Sequence, residues 1–189
     1  MKVLIVDNYD SFTYNLYHII EQYATRVEVV RHNKINLSNT ATYDKIILSP
    51  GPGLPGEFPV MNEIIHEHSQ AIPILGICLG HQAIIEYFGG KLTNLQNPLH
   101  GLTVPVYLTD NNDSLFRNVP KQFDAGRYHS WACHKGDLPA ELIPLAIDDY
   151  NMVMAFRHKK HNIYGMQYHP ESVMTHEGKK MLRNWLEIL

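Results

Sequence analysis

Directly after Met1 comes Lys2-Val3-Leu4-Ile5-Val6-Asp7, an apolar, β-branched run of strand length with no polar residue inside it. A strand without alternation has no face to offer water, so it belongs in a sheet covered on both sides. Such cover comes from helices that cross back over the sheet between strands, and the next residues have that character. Asp10 or Ser11 is placed to cap a helix in which Phe12, Leu16, Ile19, Ile20 and Tyr23 recur at helical spacing, giving one apolar face over about three turns. Residues 26–32 alternate as a second strand, 45–48 form a third, and the Pro/Gly-rich stretch 49–59 is a loop. A short amphipathic helix follows over 60–68, then a strand over 72–78. A helix over 82–88 is closed by Gly89-Gly90, whose missing side chains suit a C-terminal cap. This alternation predicts a parallel sheet wrapped by helices.

From about residue 92 to residue 167 the pattern changes to short strand-like runs, such as 104–108 and 152–157, separated by turn residues. Antiparallel strands are expected to extend the sheet here, making it mixed. The last segment, 176–189, carries Met181, Leu182, Trp185 and Leu186 in helical register and should pack across the sheet. With no internal repeat, low-complexity tract or linker, residues 1–189 read as one domain, long enough to bury its own core.

The formal net charge of −3 is spread over side chains of both signs, so there is no basic stripe to neutralise the phosphates of a nucleic acid. No apolar run approaches the roughly eighteen residues that a membrane helix needs, and Met1-Lys2 leads into a strand rather than a signal-peptide core. The expected location is cytoplasmic. Cys78 and Cys133 are the two cysteines, far apart and without CxxC spacing, which suggests free thiols rather than a disulfide or a cysteine-based zinc site.

Three segments have the makings of chemistry. Gly76-Ile77-Cys78-Leu79-Gly80-His81 lies where a buried strand passes into a helix. Glycines on either side of a nucleophile allow a sharp strand-to-helix turn, as in the G-x-S-x-G elbow. The turn lifts the thiol clear of the sheet and sets it at a helix N-terminus, where the dipole favours thiolate and the Leu79 N–H can bind an oxyanion. A buried core cysteine beside helix-packing glycines is the alternative. Tyr168-His169-Pro170-Glu171 follows a strand-like run over 163–167. His169 could act as the base and Glu171 as the group that orients it, their side chains leaving an extended stretch on one side. A solvated surface pair is the rival. Ser49-Pro50-Gly51-Pro52-Gly53-Leu54-Pro55-Gly56 would let backbone N–H groups approach a ligand, as an oxyanion hole requires. It lacks the Lys-Ser or Lys-Thr of a phosphate-binding Walker loop, and a structural proline-rich turn stays open. The histidine pairs 66/68 and 158/161 lack the spacing of a metal site with a general base and read as solvated surface, so no metal is expected.

Together, Pro50-Gly51-Pro52-Gly53, the Gly76 to Gln82 segment and His169-Pro170-Glu171 resemble the class I, triad-type glutamine amidotransferases, over nearly the whole chain. The resemblance implies an open, mostly parallel sheet between helices and a triad of Cys78, His169 and Glu171. It implies oxyanion donors from the backbone of Gly53 and Leu79. It further implies a glutamine site that draws on Gly51, Pro52, Gly53, Gln82, Ser130 and Trp131. Asp7 to Leu16, Pro98-Leu99-His100-Gly101 and His169 to Thr175 are similar to the small subunits of anthranilate synthase and aminodeoxychorismate synthase. That likeness implies L-glutamine as substrate and a chorismate-binding large subunit as partner, with Asp10, Ser11, Phe12, His100 and Gly101 toward the interface. No cofactor is implied in this chain; Mg²⁺ belongs to the partner. Leu102, Val104 and Trp131 depart from the usual lysine, small hydroxyl residue and leucine, and bear on partner contact and pocket shape rather than on the triad. A stand-alone cysteine hydrolase or peptidase of related α/β fold is the second reading, and a non-catalytic module that kept the fold is the third.

Overall fold

The computed structural model describes residues 1–95, 101–109 and 112–188. Its strands, in chain order, are β1 (Lys2–Asp7), β2 (Arg26–Arg31), β3 (Lys45–Leu48), β4 (Ile74–Ile77), β5 (Thr93–Asn94), β6 (Leu102–Leu108), β7 (Gln122–Arg127), β8 (Trp131–Ala132), β9 (Leu142–Ile147), β10 (Val153–His158) and β11 (Ile163–Met166). The helices are α1 (Thr13–Ile20), α2 (Leu37–Thr40), α3 (Pro59–His68), α4 (Leu79–Tyr87) and α5 (Gly178–Glu187). Nine strands form one sheet in the order β2-β1-β3-β4-β11-β10-β9-β6-β7, and β5 pairs with β8 separately. From β2 to β11 every pairing is parallel, and from β11 to β7 every pairing is antiparallel. The mixed sheet expected from the sequence is therefore present, with its antiparallel half built from the stretch after residue 92.

β1 explains its own composition. Successive side chains leave a strand on opposite faces: Val3 and Ile5 pack with Leu16, Ile20, Leu182 and Trp185 of α1 and α5. Leu4 and Val6 pack with Met61, Ile64, Ala83 and Ile84 of α3 and α4. Both faces are dry, so both sets must be apolar. Among the described residues, no helix is long and apolar enough to cross a membrane.

Several element ends differ from the sequence reading. α1 begins at Thr13 with Phe12 as its N-cap and no side-chain cap bond. The Asp10 carboxylate accepts the Phe12 N–H at 2.7 Å, holding the turn ahead of the helix instead of the helix itself. Tyr23 lies past the end of α1 and is exposed. α5 starts at Gly178 rather than 176. The most consequential shift is at Cys78: β4 stops at Ile77 and α4 starts at Leu79, three residues earlier than the periodicity indicated. No loop separates them because the backbones touch. A Cβ on Gly76 would sit 2.4 Å from the Gly80 carbonyl, and one on Gly80 would sit 2.3 Å from the Leu48 carbonyl oxygen of β3. Helix α4, strand β4 and neighbouring β3 are thus in main-chain contact.

Gly80→Ala raises helix propensity by about 1 kcal/mol in isolation, yet here the added methyl meets rigid backbone. The expected outcome is net destabilisation of about 2 kcal/mol or more, read as a lowered urea midpoint. Gly56, with nothing within 4 Å of a built Cβ, should accept alanine with little change under the same titration.

Candidate active site

β1, β3, β4 and β11 run parallel and end at the same edge of the sheet, so the segments that leave them converge. β4 delivers Cys78. That residue is 7% exposed and holds φ +51°, ψ −98°, a region that non-glycine residues avoid. It is clamped from both sides, its N–H donating to the Met166 carbonyl at 2.8 Å and its carbonyl accepting the Gln82 N–H at 3.1 Å. Leu79 is the first residue of α4, where N–H groups lack an intrahelical acceptor and the dipole presents its positive end.

β11 delivers His169 and Glu171, both buried. The sequence suggested an extended stretch, but they lie in a turn, and the turn rather than strand alternation brings them together: Nδ1 of His169 meets Oε1 of Glu171 at 2.7 Å. The turn is itself fixed, since Thr175 Oγ1 donates to the His169 carbonyl at 2.7 Å and accepts the Gly126 N–H at 2.9 Å. With Nδ1 on the carboxylate, Nε2 is left to face the Cys78 sulfur. Burial opposes a charge on the imidazole, but the Cys78 sulfur and then Glu171 outweigh it and hold His169 well above its ordinary value. The rings of Phe12 and Tyr128 close the imidazole in, at 5.4 and 4.8 Å between centroids.

β3 delivers the glycine-rich loop, tied to the end of β1 by two bonds. The Asn8 N–H donates to Ser49 Oγ, and Asn8 Nδ2 donates to the Ser49 carbonyl, each at 3.0 Å. Gly53 has φ +71°, and a Cβ there would strike the Glu57 carboxylate, which accepts the Leu54 N–H at 2.7 Å. A cavity of about 280 Å³ opens in front of Cys78, lined by Gly51, Pro52, Gly53, Gln82, Tyr128, His129, Ser130 and Trp131. All six residues inferred for a substrate site are in that wall.

The inferred interface residues divide. Ser11 and Gly101 are exposed, whereas Asp10 and Phe12 turn inward. Phe12 meets His169 edge-on, and Asp10 has one oxygen within 4.8 Å of ligand atoms of His169 and Glu171. Burial raises the Asp10 carboxyl above its usual range, against the Phe12 N–H and the charge of His169. His100, with Pro98 and Leu99, lies outside the described residues. Val104 is a buried core position, while Leu102 is 51% exposed. Among the described residues Asp10, His169 and Glu171 are the one set close enough to share a metal ion. In that set one imidazole nitrogen is on Glu171 and the other faces Cys78.

Both histidine pairs read as solvated surface hold a buried member instead. His68 meets Thr40 Oγ1 at 2.6 Å, and His158 Nδ1 accepts the backbone N–H groups of Lys160 and His161 at 3.0 and 2.9 Å. Sequence reasoning gave Tyr128 and His129 no role beyond lying in the segment around Ser130-Trp131, and it passed over Gln167. Gln167 and His129 both adjoin residues already singled out, and a polar residue next to a reactive one was the available signal.

The sequence model of the family "Glutamine amidotransferase class-I" matches residues 4–189. The chain belongs to the class-I glutamine amidotransferases. Within this amidotransferase family it is 41% identical over 188 residues to anthranilate synthase component 2 of Pyropia yezoensis, covering 98% of each chain. It is 36% identical over 186 residues to aminodeoxychorismate synthase component 2 of Escherichia coli, covering 97% of this chain and 98% of that one. Its fold matches that of a glutamine amidotransferase from Thermotoga maritima with a TM-score of 0.76 at 16% identity, covering 99% and 96% of the two chains.

Two buried histidines give the amidotransferase an acid-sensitive core. Burial first, and for His129 the Arg127 charge next, depress His81 and His129 to about 3. Between pH 6.5 and 3 the unfolded chain therefore binds more protons than the native one, so stability is lost as pH falls through that window. Urea midpoints should drop from pH 7 to pH 4.5 by the equivalent of up to about 1.4 kcal/mol per pH unit for each histidine. His81→Leu should make that decline shallower.

Proposed function

We propose that this amidotransferase is the glutaminase subunit of a chorismate-aminating complex, hydrolysing L-glutamine and passing ammonia to a partner. The observation that carries the reading is the meeting of a strained, clamped Cys78 with a His169–Glu171 pair at the end of a cavity sized for one amino acid. Cys78 attacks the side-chain carbonyl carbon of glutamine, and the oxyanion that forms is met by the backbone N–H groups of Gly53 and Leu79. His169 gives its Nε2 proton to the departing nitrogen, which leaves as ammonia. A glutamyl thioester remains on Cys78. Water attacks it as His169 takes back a proton, and glutamate is released with the thiol restored. Glu171 keeps Nδ1 protonated and supports the imidazolium. Gln82, Ser130 and Trp131 hold the amino-acid end of the substrate.

The relatives named as component 2 of anthranilate and aminodeoxychorismate synthases support a partner in trans; in this reading it is a chorismate-binding large subunit with the Mg²⁺ at its own site. Val173, two residues past Glu171, is 88% exposed, and Leu102, next to Gly101, is 51% exposed. With Ser11 and Gly101 they form the surface assigned to that partner, and ammonia leaves toward it by a water-poor path that keeps it unprotonated. Nothing in these relatives favours a stand-alone hydrolase.

Captured with its native partner and supplied with glutamine, chorismate and Mg²⁺, the chain is expected to give glutamate together with anthranilate or aminodeoxychorismate, identified by mass. Glutamate with neither product would sink the chorismate reading alone. In the same assay Cys78→Ser should abolish glutamate release while leaving cooperative unfolding intact. Glu171→Gln should cut the rate by on the order of 10²-fold, through kcat rather than KM.

A further inference from the structure

Gln167 follows β11 and is completely buried. An enclosed primary amide carries two donor hydrogens and an acceptor, and its neighbours decide which way round it sits. Here the decision starts from a group that cannot donate, the Trp131 carbonyl. It accepts from Gln82 Nε2 at 2.8 Å, so Gln82 turns its nitrogen inward. That nitrogen has a second hydrogen, which reaches Gln167 Oε1 at 3.2 Å. With its oxygen so committed, Gln167 points its own nitrogen the other way, and Cys78 Sγ lies there at 3.8 Å. His129 Nδ1 meets the same Trp131 carbonyl at 2.8 Å, which keeps the starting point of the relay in place. At the far end the Gln167 backbone is held by its N–H on the Met154 carbonyl at 2.9 Å.

We propose that Gln167 is a second hydrogen-bond donor to the Cys78 sulfur, aimed by the Trp131–Gln82 amide relay, and that it positions the thiolate and stabilises its charge. The proposal rests on Cys78 being the nucleophile. An N–H to sulfur contact is long for a neutral thiol and shortens when the acceptor is charged. It gives the sulfur a neutral partner at the two points where it carries charge, before attack on the amide and as it leaves the thioester. The relay also joins the wall of the substrate cavity to the reacting atom through two side chains.

The test is the pH dependence of Cys78 alkylation by iodoacetamide in the full chain, followed by mass spectrometry of the Cys78 peptide. Gln167→Met keeps the volume and removes the donor. Its alkylation midpoint should move up by about one pH unit, with a roughly tenfold slower rate well below the midpoint. Gln167→Leu also removes the donor without adding a charge and should move the midpoint the same way; it carries the test if the methionine variant does not unfold cooperatively. Gln82→Leu should shift the midpoint in the same direction and add little on top of Gln167→Met, because both break one relay. A merely structural glutamine would lower the unfolding midpoint and leave the alkylation profile where it was, and an unmoved profile in a folded variant overturns the proposal. If wild-type Cys78 is not alkylated at all, the nucleophile reading falls and this proposal falls with it.

Discussion

Cys78 occupies a backbone conformation that side chains avoid, and it stays there because two glycines let β4 and α4 touch main chain to main chain. The Met166 carbonyl and the Gln82 N–H then hold the residue between them. Everything else in the site is arranged around that fixed sulfur: the helix N-terminus beneath it, the imidazole facing it, the glycine loop across from it. Loosening the contact at Gly80 would not merely soften the core. It would release the one residue whose position the other groups are built to meet.

The charges around the sulfur are arranged in the same spirit. His169 is buried, which on its own would strip its proton, yet the sulfur and Glu171 keep it charged. His129 and His81, a short distance away and without such partners, are kept neutral by the same burial. One dry environment thus produces opposite protonation states, and the difference lies in which histidine has an anion beside it.

Much of this was readable in advance, and the unread part has a common cause. Strands such as 2–7 and 45–48 were legible because burial on both faces forbids polar residues, and the Gly-x-Cys-x-Gly spacing announced a turn. The start of α4 was not legible, since a helix packed on a strand without a loop leaves no punctuation in the sequence. Asp10 was placed at a partner surface, but the structure folds it toward His169, because the chain turns at residues 10–12 before the helix begins. Gln167 was missed for a similar reason: its meaning depends on Gln82, Trp131 and Cys78, none of which is its neighbour in the chain. The burial of His68 and His158 likewise depends on Thr40 and on a tight turn, which no local pattern displays.

β11 enters the sheet beside β4, although 89 residues separate Gln167 from Cys78. Cys78 is made early and the residues that meet it late. During synthesis the first four strands and α4 emerge before His169, Glu171 and Gln167, so the thiol of a partly made chain lacks the neighbours it has in the finished fold. Long-range pairing of this kind forms slowly, and the groups around Cys78 come together only when the sheet closes, in the same step that finishes the fold.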